Sequence, residues 1–199
     1  MYGESVRPSR IPGLVLRAGL RAGRTEIEIE RTGRSAEELV NALADSETRV
    51  PAYFELDRYF GSEALPAIRE GLAHGNWLVR KWSAMYLDHH ADAESLEALV
   101  PLLRDDKNQV RLWAVHSISC ETCKLDANPI DIVPLLIDRI ELDESVRVRR
   151  MATVMLATQT LEARVAPIFE RILADEEDRK LRLHAKNGLT RYRELGLGT

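Results

Sequence analysis

The chain has 199 residues, 45% of them hydrophobic and 30% charged, which fits one soluble domain with a sizeable core. No apolar run approaches the roughly 20 residues of a membrane span, and two cysteines do not make a disulfide scaffold, so a reducing, cytoplasmic setting is expected. The formal net charge of −4 argues against a general nucleic-acid binder.

Residues 1–34 stand apart from the rest of the chain. Within 1–24, Arg7, Arg10, Arg17, Arg21 and Arg24 face only Glu4, a local balance of +4 that leaves −8 for the remainder. An Arg-rich, acid-poor start resembles a transit peptide. But Ser is scarce, and Pro8, Pro12, Gly13, Gly19 and Gly23 break any long amphipathic helix. The apolar stretch GLVL is too short for a secretory signal. TEIEIE, at 25–30, alternates Ile with Glu as a short strand does. The segment is expected to be a capping arm, partly extended, over the open apolar end of the remaining chain.

From residue 35 onward the pattern is helical and repeats. Residues 35–60 form a first helical pair, with Ser35 and Glu38 spaced as a capping box. Four later segments then align without gaps: VRKWSAMYL (79–87), VRLWAVHSI (110–118), VRRMATVML (148–156) and LRLHAKNGL (181–189). Counting the first residue as offset 0, that position is Val, Val, Val and Leu, and offset 1 is Arg80, Arg111, Arg149 and Arg182. Offset 4 is small (Ser83, Ala114, Ala152, Ala185), and offset 8 is Leu or Ile. The starts are 31, 38 and 33 residues apart.

At about 100° per residue, offsets 0, 4, 7 and 8 share one helix face, and the small residue admits a close neighbour. Each segment comes after a polar or acidic turn: HGN (74–76), DDKN (105–108), ELDES (141–145) and DEEDRK (175–180). Before each turn lies another amphipathic run: EALPAIREGL, LEALVPLLR, IDIVPLLIDRI and ARVAPIFERIL. The unit is therefore helix, tight turn, helix. The 35–60 pair has the same outline without the arginine and reads as a divergent first unit.

Asp105, Asp106, Val110, Arg111 and Ala114, with their counterparts in the other units, resemble HEAT repeats. The similarity is to the short bacterial kind also found in phycobilisome-lyase-like proteins, and it covers 35–195. It implies an all-α, right-handed solenoid with units near 35–60, 61–90, 91–127, 128–159 and 160–195. It also implies that the aligned arginines form a ladder to turn carboxylates such as Asp106, in place of a phosphate-binding stripe. In such solenoids the second helices line the concave side.

Offsets 2, 6 and 9, opposite the buried face, then point into a groove. They read Lys81, Met85 and Asp88; Leu112, His116 and Ser119; Arg150, Val154 and Ala157; Leu183, Asn187 and Thr190. Offset 3 adds Trp82, Trp113, Met151 and His184, which either edge the groove or pack between repeats. An apolar groove edged by charge marks a partner site, and Trp and Met suit one. The expected groove lining is thus Lys81, Trp82, Met85, Leu112, Trp113, His116, Arg150, Val154, Leu183 and Asn187.

HSISCETCK, at 116–124, holds both cysteines. Offset 6 is His116 and offset 10 is Cys120, both on the groove side, with Cys123 past the helix end. His89 and His90 end the preceding second helix and fall within range if the helices run parallel. His116, Cys120, Cys123 and His89 or His90 would supply a Cys₂His₂ set of the kind zinc takes as a closed structural site. The pair could instead form a reversible disulfide, or be a small buried hydrophobe and a loop residue.

The sequence has no GxSxG elbow, no Gly-rich phosphate loop and no HExxH. The expectation is a cytoplasmic, non-catalytic scaffold that presents its groove to a protein partner, with no membrane and no nucleic acid. A chromophore-lyase-like subunit and a nucleic-acid-binding HEAT-like protein are the alternatives.

Overall fold

A computed structural model of the chain describes residues 14–18, 25–121, 128–159 and 162–197. It begins with an antiparallel hairpin, β1 (Leu14–Ala18) against β2 (Thr25–Ile29), in which Leu14 pairs with Ile29 and Ala18 with Thr25. Ten helices come next in five consecutive pairs: α1 (Ala36–Ala42) with α2 (Arg49–Tyr59), and α3 (Leu65–Leu72) with α4 (Trp77–His90). The third pair is α5 (Ala93–Leu99), continued by a 3₁₀ segment Val100–Arg104, with α6 (Asn108–Ser119). The last two are α7 (Ile132–Leu142) with α8 (Val146–Thr158), and α9 (Ala166–Asp175) with α10 (Arg179–Glu194).

Local chemistry sets where the helices begin. Ser35 and Glu38 form the reciprocal capping box: Ser35 N–H donates to Glu38 Oε2 (2.8 Å) and Glu38 N–H to Ser35 Oγ (3.2 Å). Asn76, Asp92, Asp131 and Asp178 cap α4, α5, α7 and α10 by accepting from N–H groups of the first turn. Pro66 and Pro167 stand in the first turns of α3 and α9, where a missing N–H costs nothing.

The repeat signature is the core. Val79, Val110, Val148 and Leu181 are wholly buried, as are Ser83, Ala114, Ala152 and Ala185. Each buried Val or Leu contributes about 1.5–3 kcal/mol. The small residues permit close approach. A Cβ on Gly71 of α3 would come within 2.3 Å of Ser83 Oγ on α4, and one on Gly188 within 2.7 Å of the Phe169 ring.

Three of the aligned arginines, Arg80, Arg111 and Arg149, each lock their unit to the next. Arg80 binds Asp105 through Nε (2.6 Å) and Nη2 (3.0 Å) and also reaches Asp106 (2.7 Å). Arg111 grips Asp143 in the same two-pronged way (2.8 and 2.9 Å), and Arg149 reaches Glu176 (3.1 Å). Hydrogen bonding to these carboxylates raises the Arg80 and Arg111 pKa values still further. Arg80, Arg111 and Arg182 also donate to the carbonyl six residues upstream, those of His74, Asp105 and Glu176.

This last contact corrects the reading of the first unit as lacking the arginine. Arg49 Nε donates to Leu43 O, again six residues upstream, at 2.7 Å. Counted from Thr48, Ala52 then falls at offset 4 and Leu56 at offset 8, both wholly buried. The arginine is present, but the following turn (AHGN) offers it no carboxylate.

The carboxylate partners of Arg80, Arg111 and Arg149 sit just before α6, α8 and α10, so α4, α6, α8 and α10 run in the same direction. α4, α6, α8 and α10 pack in an unbroken row, while α5, α7 and α9 touch one another sparsely. The second helices α4, α6, α8 and α10 thus form one continuous layer, the one that HEAT-like solenoids turn inward. At the N-terminal end, Tyr59 Oη donates to Ile29 O (2.8 Å), and buried Glu55 accepts from Thr32 N–H (2.6 Å) and Thr32 Oγ1 (2.9 Å). These bonds tie the hairpin and its linker to α2. Among the described residues, no helix is long and apolar enough to cross a membrane.

Candidate functional site

With α2 aligned through Arg49, the inner side carries two rows across all five units. One reads Phe54, Met85, His116, Val154 and Asn187, and the other Val50, Lys81, Leu112, Arg150 and Leu183. Phe54, Leu183 and Asn187 are exposed and the rest are half-buried. A side chain in this state is held at its base and bare at its tip, as a partner-binding floor requires.

The rims differ from one unit to the next. Trp82 packs edge-on against Tyr53 (5.1 Å between ring centres), and Lys81 Nζ stands 5.3 Å from the centre of the Trp82 ring. Trp113 lies edge-on to His116 at 5.4 Å. Both Trp residues are half-buried and pack against the core. Burial, with Arg49 nearby, lowers the Lys81 pKa. Burial also pushes Tyr53 up to about 12, helped by the carboxylates of Asp57 and Asp88.

Arg150 is not the free groove cation its offset suggests. Its Nε donates to Asp178 Oδ1 at 2.8 Å and its Nη2 to Asp178 Oδ2. Arg150 and the Leu181 N–H hold the Asp178 carboxyl well below the usual aspartate range. Asp178 thus caps α10 and neutralises the groove arginine at once.

The ends of α4 and α6 carry the most concentrated chemistry. Asp88, His116 and Cys120 present ligand atoms that all lie within 4.8 Å of one another. Asp88 Oδ2 is 3.3 Å from His116 Nε2 and 3.5 Å from His89 Nε2. Asp88 and Cys120 are buried, His116 is half-buried, and His89 is largely exposed. His90 is directed elsewhere: its Nε2 is 2.8 Å from Asp57 Oδ1, and its ring stacks on Tyr86 at 4.5 Å. Cys123 lies outside the described residues.

Of the five candidate ligands, then, His116 and Cys120 come together, His89 stands beside them, and His90 turns to the first unit. The residue between them, Asp88, was legible only as a groove position at offset 9. Its signal was a carboxylate one position before His89, on the face turned toward the next helix. Phe54 and Asp57 were missed because polar Thr48 at offset 0 concealed the alignment of the first unit.

On the opposite side, a cleft of about 390 Å³ opens between α7 and α9. Its charges are largely paired, Arg149 with Glu176 and Arg171 with Glu141.

No curated protein sequence matches the chain. The fold is similar to the crystal structure of an engineered protein, with a TM-score of 0.50 and 18% sequence identity over 80% of this chain and 79% of that one. Residues 36–119, from α1 through the end of α6, match the HEAT repeats family. With the arginine-locked helix pairs continuing through α10, the fold is that of a HEAT-repeat solenoid.

Proposed function

We propose that the chain is a binding module that holds a segment of a protein partner along the inner face of its second helices. One observation carries this reading: an apolar floor of Phe54, Met85, Leu112, Val154 and Leu183 runs across all five units, half-buried or exposed at every step. Trp82 and Trp113 edge that floor, and such rings dominate binding energy at protein interfaces. Charge lies along its sides, with Lys81 placed to fix the register of a partner.

The electrostatics favour a protein over a nucleic acid. Arg150 is already neutralised by Asp178, and Asp57 and Asp88 would repel phosphate. DNA titrated at low salt is expected to show no salt-dependent affinity. HEAT repeats are in general protein-interaction scaffolds, which agrees with this reading.

The test uses Leu112→Asp and Val154→Asp, each placing a charge at a half-buried floor position that packs against the core, with circular dichroism to establish that each variant is folded. Leu142→Asp is the control, since Leu142 is 69% exposed on α7, a first helix. Each floor variant is expected to weaken capture of a specific partner by at least about tenfold, as the loss of a central contact does. The control should bind as the unmodified chain does. Unchanged capture by both floor variants would sink the proposed face.

A further inference from the structure

The Asp88, His116 and Cys120 side chains come from two adjacent repeats, and the arginine ladder that sets their helices in register is at the other end of those helices. Asp88 lies two residues before the end of α4, His116 is in the last turn of α6, and Cys120 is the residue that ends α6. The Cys120 N–H donates to His116 O at 3.0 Å, which fixes thiol and imidazole on one turn. Below them, Asn128 Nδ2 donates to Ile118 O at 2.7 Å and holds the end of the helix.

The geometry points to a zinc-class metal site, built from Asp88, His116 and Cys120 with His89 as the fourth ligand, that staples the second repeat to the third. In a tetrahedral zinc centre with bonds of about 2.0–2.3 Å, neighbouring ligand atoms stand about 3.3–3.8 Å apart. Two edges already have this length: Asp88 Oδ2 to His116 Nε2 (3.3 Å) and Asp88 Oδ2 to His89 Nε2 (3.5 Å). The three-residue set spans at most 4.8 Å, about 1 Å more than a tetrahedral edge, and His89 stands outside it, joined through Asp88 alone, so its ring must swing inward to complete the shell.

The donor set selects the ion. Thiolate, imidazole and carboxylate together suit zinc and its first-row neighbours, while hard Mg²⁺ and Ca²⁺ take all-oxygen shells. Thiolate and carboxylate balance a divalent charge, and the thiol proton passes to solvent as the Cys120 sulfur binds the metal. His89, 60% exposed, and His116, 27% exposed, leave the ion a path from the groove. Four protein ligands would make the site structural. It would stiffen the middle of the inner face.

The test uses the full chain, purified under reducing conditions and stripped with a chelator. Zinc is then titrated in competition with a chromophoric chelator, and Co²⁺ is added to a parallel sample. One equivalent of zinc is expected to bind, and the cobalt form should show a thiolate-to-cobalt charge-transfer band with intense tetrahedral visible bands. Cys120→Ser, which is close in size, should abolish the charge-transfer band. Asp88→Asn, His116→Gln and His89→Gln should each weaken zinc by at least about tenfold, the low end of what even outer-shell losses cost. Cys123→Ser should keep the band. Zinc should raise the thermal midpoint of the unmodified chain but not of Cys120→Ser. Three results would each overturn the site: no stoichiometric zinc, an unchanged cobalt band in Cys120→Ser, or a band lost in Cys123→Ser.

Discussion

Arg111 is the deepest rung of the ladder, and replacing it with Met tests whether the ladder holds the repeats together. The Arg111 side chain is 7% exposed and that of its partner Asp143 is 0% exposed. Met fills much the same space but leaves the carboxylate buried without its two-pronged donor. Removing one member of a buried ion pair costs about 3–5 kcal/mol. Arg139 Nη1 remains 3.5 Å from Asp143 Oδ2, and the Ser145 N–H still donates to Oδ1 at 2.9 Å. The lower end, about 3 kcal/mol, is therefore expected. Adding Asp143→Asn removes the stranded charge and keeps an acceptor for Ser145, so the double variant should recover most of the loss. Arg182, at the other extreme, is exposed and, among the described residues, donates only to the Glu176 carbonyl at 3.2 Å. Arg182→Ala should stay within about 0.5 kcal/mol of the unmodified chain. Urea denaturation followed by far-ultraviolet circular dichroism and by tryptophan fluorescence measures both. A cost below about 1 kcal/mol for Arg111→Met, or equal costs at the two positions, would refute the ladder as the source of inter-repeat stability.

Two further predictions concern α10. Gly188→Ala drives a methyl group to 2.7 Å from the Phe169 ring and 3.0 Å from Ala157 Cβ, so it should cost about 1–3 kcal/mol, read as a lower denaturation midpoint with an unchanged slope. Asp178→Asn keeps the helix cap but loses the charge paired with Arg150. The Asp178 pKa is depressed by that pairing, so its contribution is whole above its ordinary value of 3.8 and fades as the pH falls through the lower folded value. The stability gap between the unmodified chain and the variant should be constant near neutrality and shrink in acid. A gap insensitive to acid would show that the charge paired with Arg150 is not the source of the difference.

The repeat was legible because it is written in residues the core cannot vary freely. Val79, Val110 and Val148 must be apolar, Ala114 and Ala152 must be small, and Arg80 and Arg111 must reach the next turn. What was hidden came from exceptions to that code. Thr48 stands where the other units have Val or Leu, so Arg49 went unnoticed, and with it the extension of the groove to Phe54. Arg150 shares its offset with Lys81, Leu112 and Leu183, and nothing in that pattern announces its bond to Asp178, 28 residues onward. The hairpin was half legible. TEIEI alternates as a strand does, but LVLRA carries no such period, and its pairing depends on a contact the helical pattern does not encode. The convergence of Asp88 with His116 and Cys120 required the parallel stacking of α4 and α6 and the rotation of each helix about its axis. Spacing alone approximates the first and does not give the second.

The most direct test of the central claim is a photo-crosslinking residue placed at Val154, on the floor of the groove, or at Leu142, on the outer layer, in the full chain. After irradiation in an extract of the native host, the adducts are identified by mass spectrometry. A binding module acting through its inner face predicts one discrete protein adduct from position 154, competed away by unlabelled chain, and none from 142. Equal labelling from both positions, or a discrete adduct from 142 alone, would contradict it.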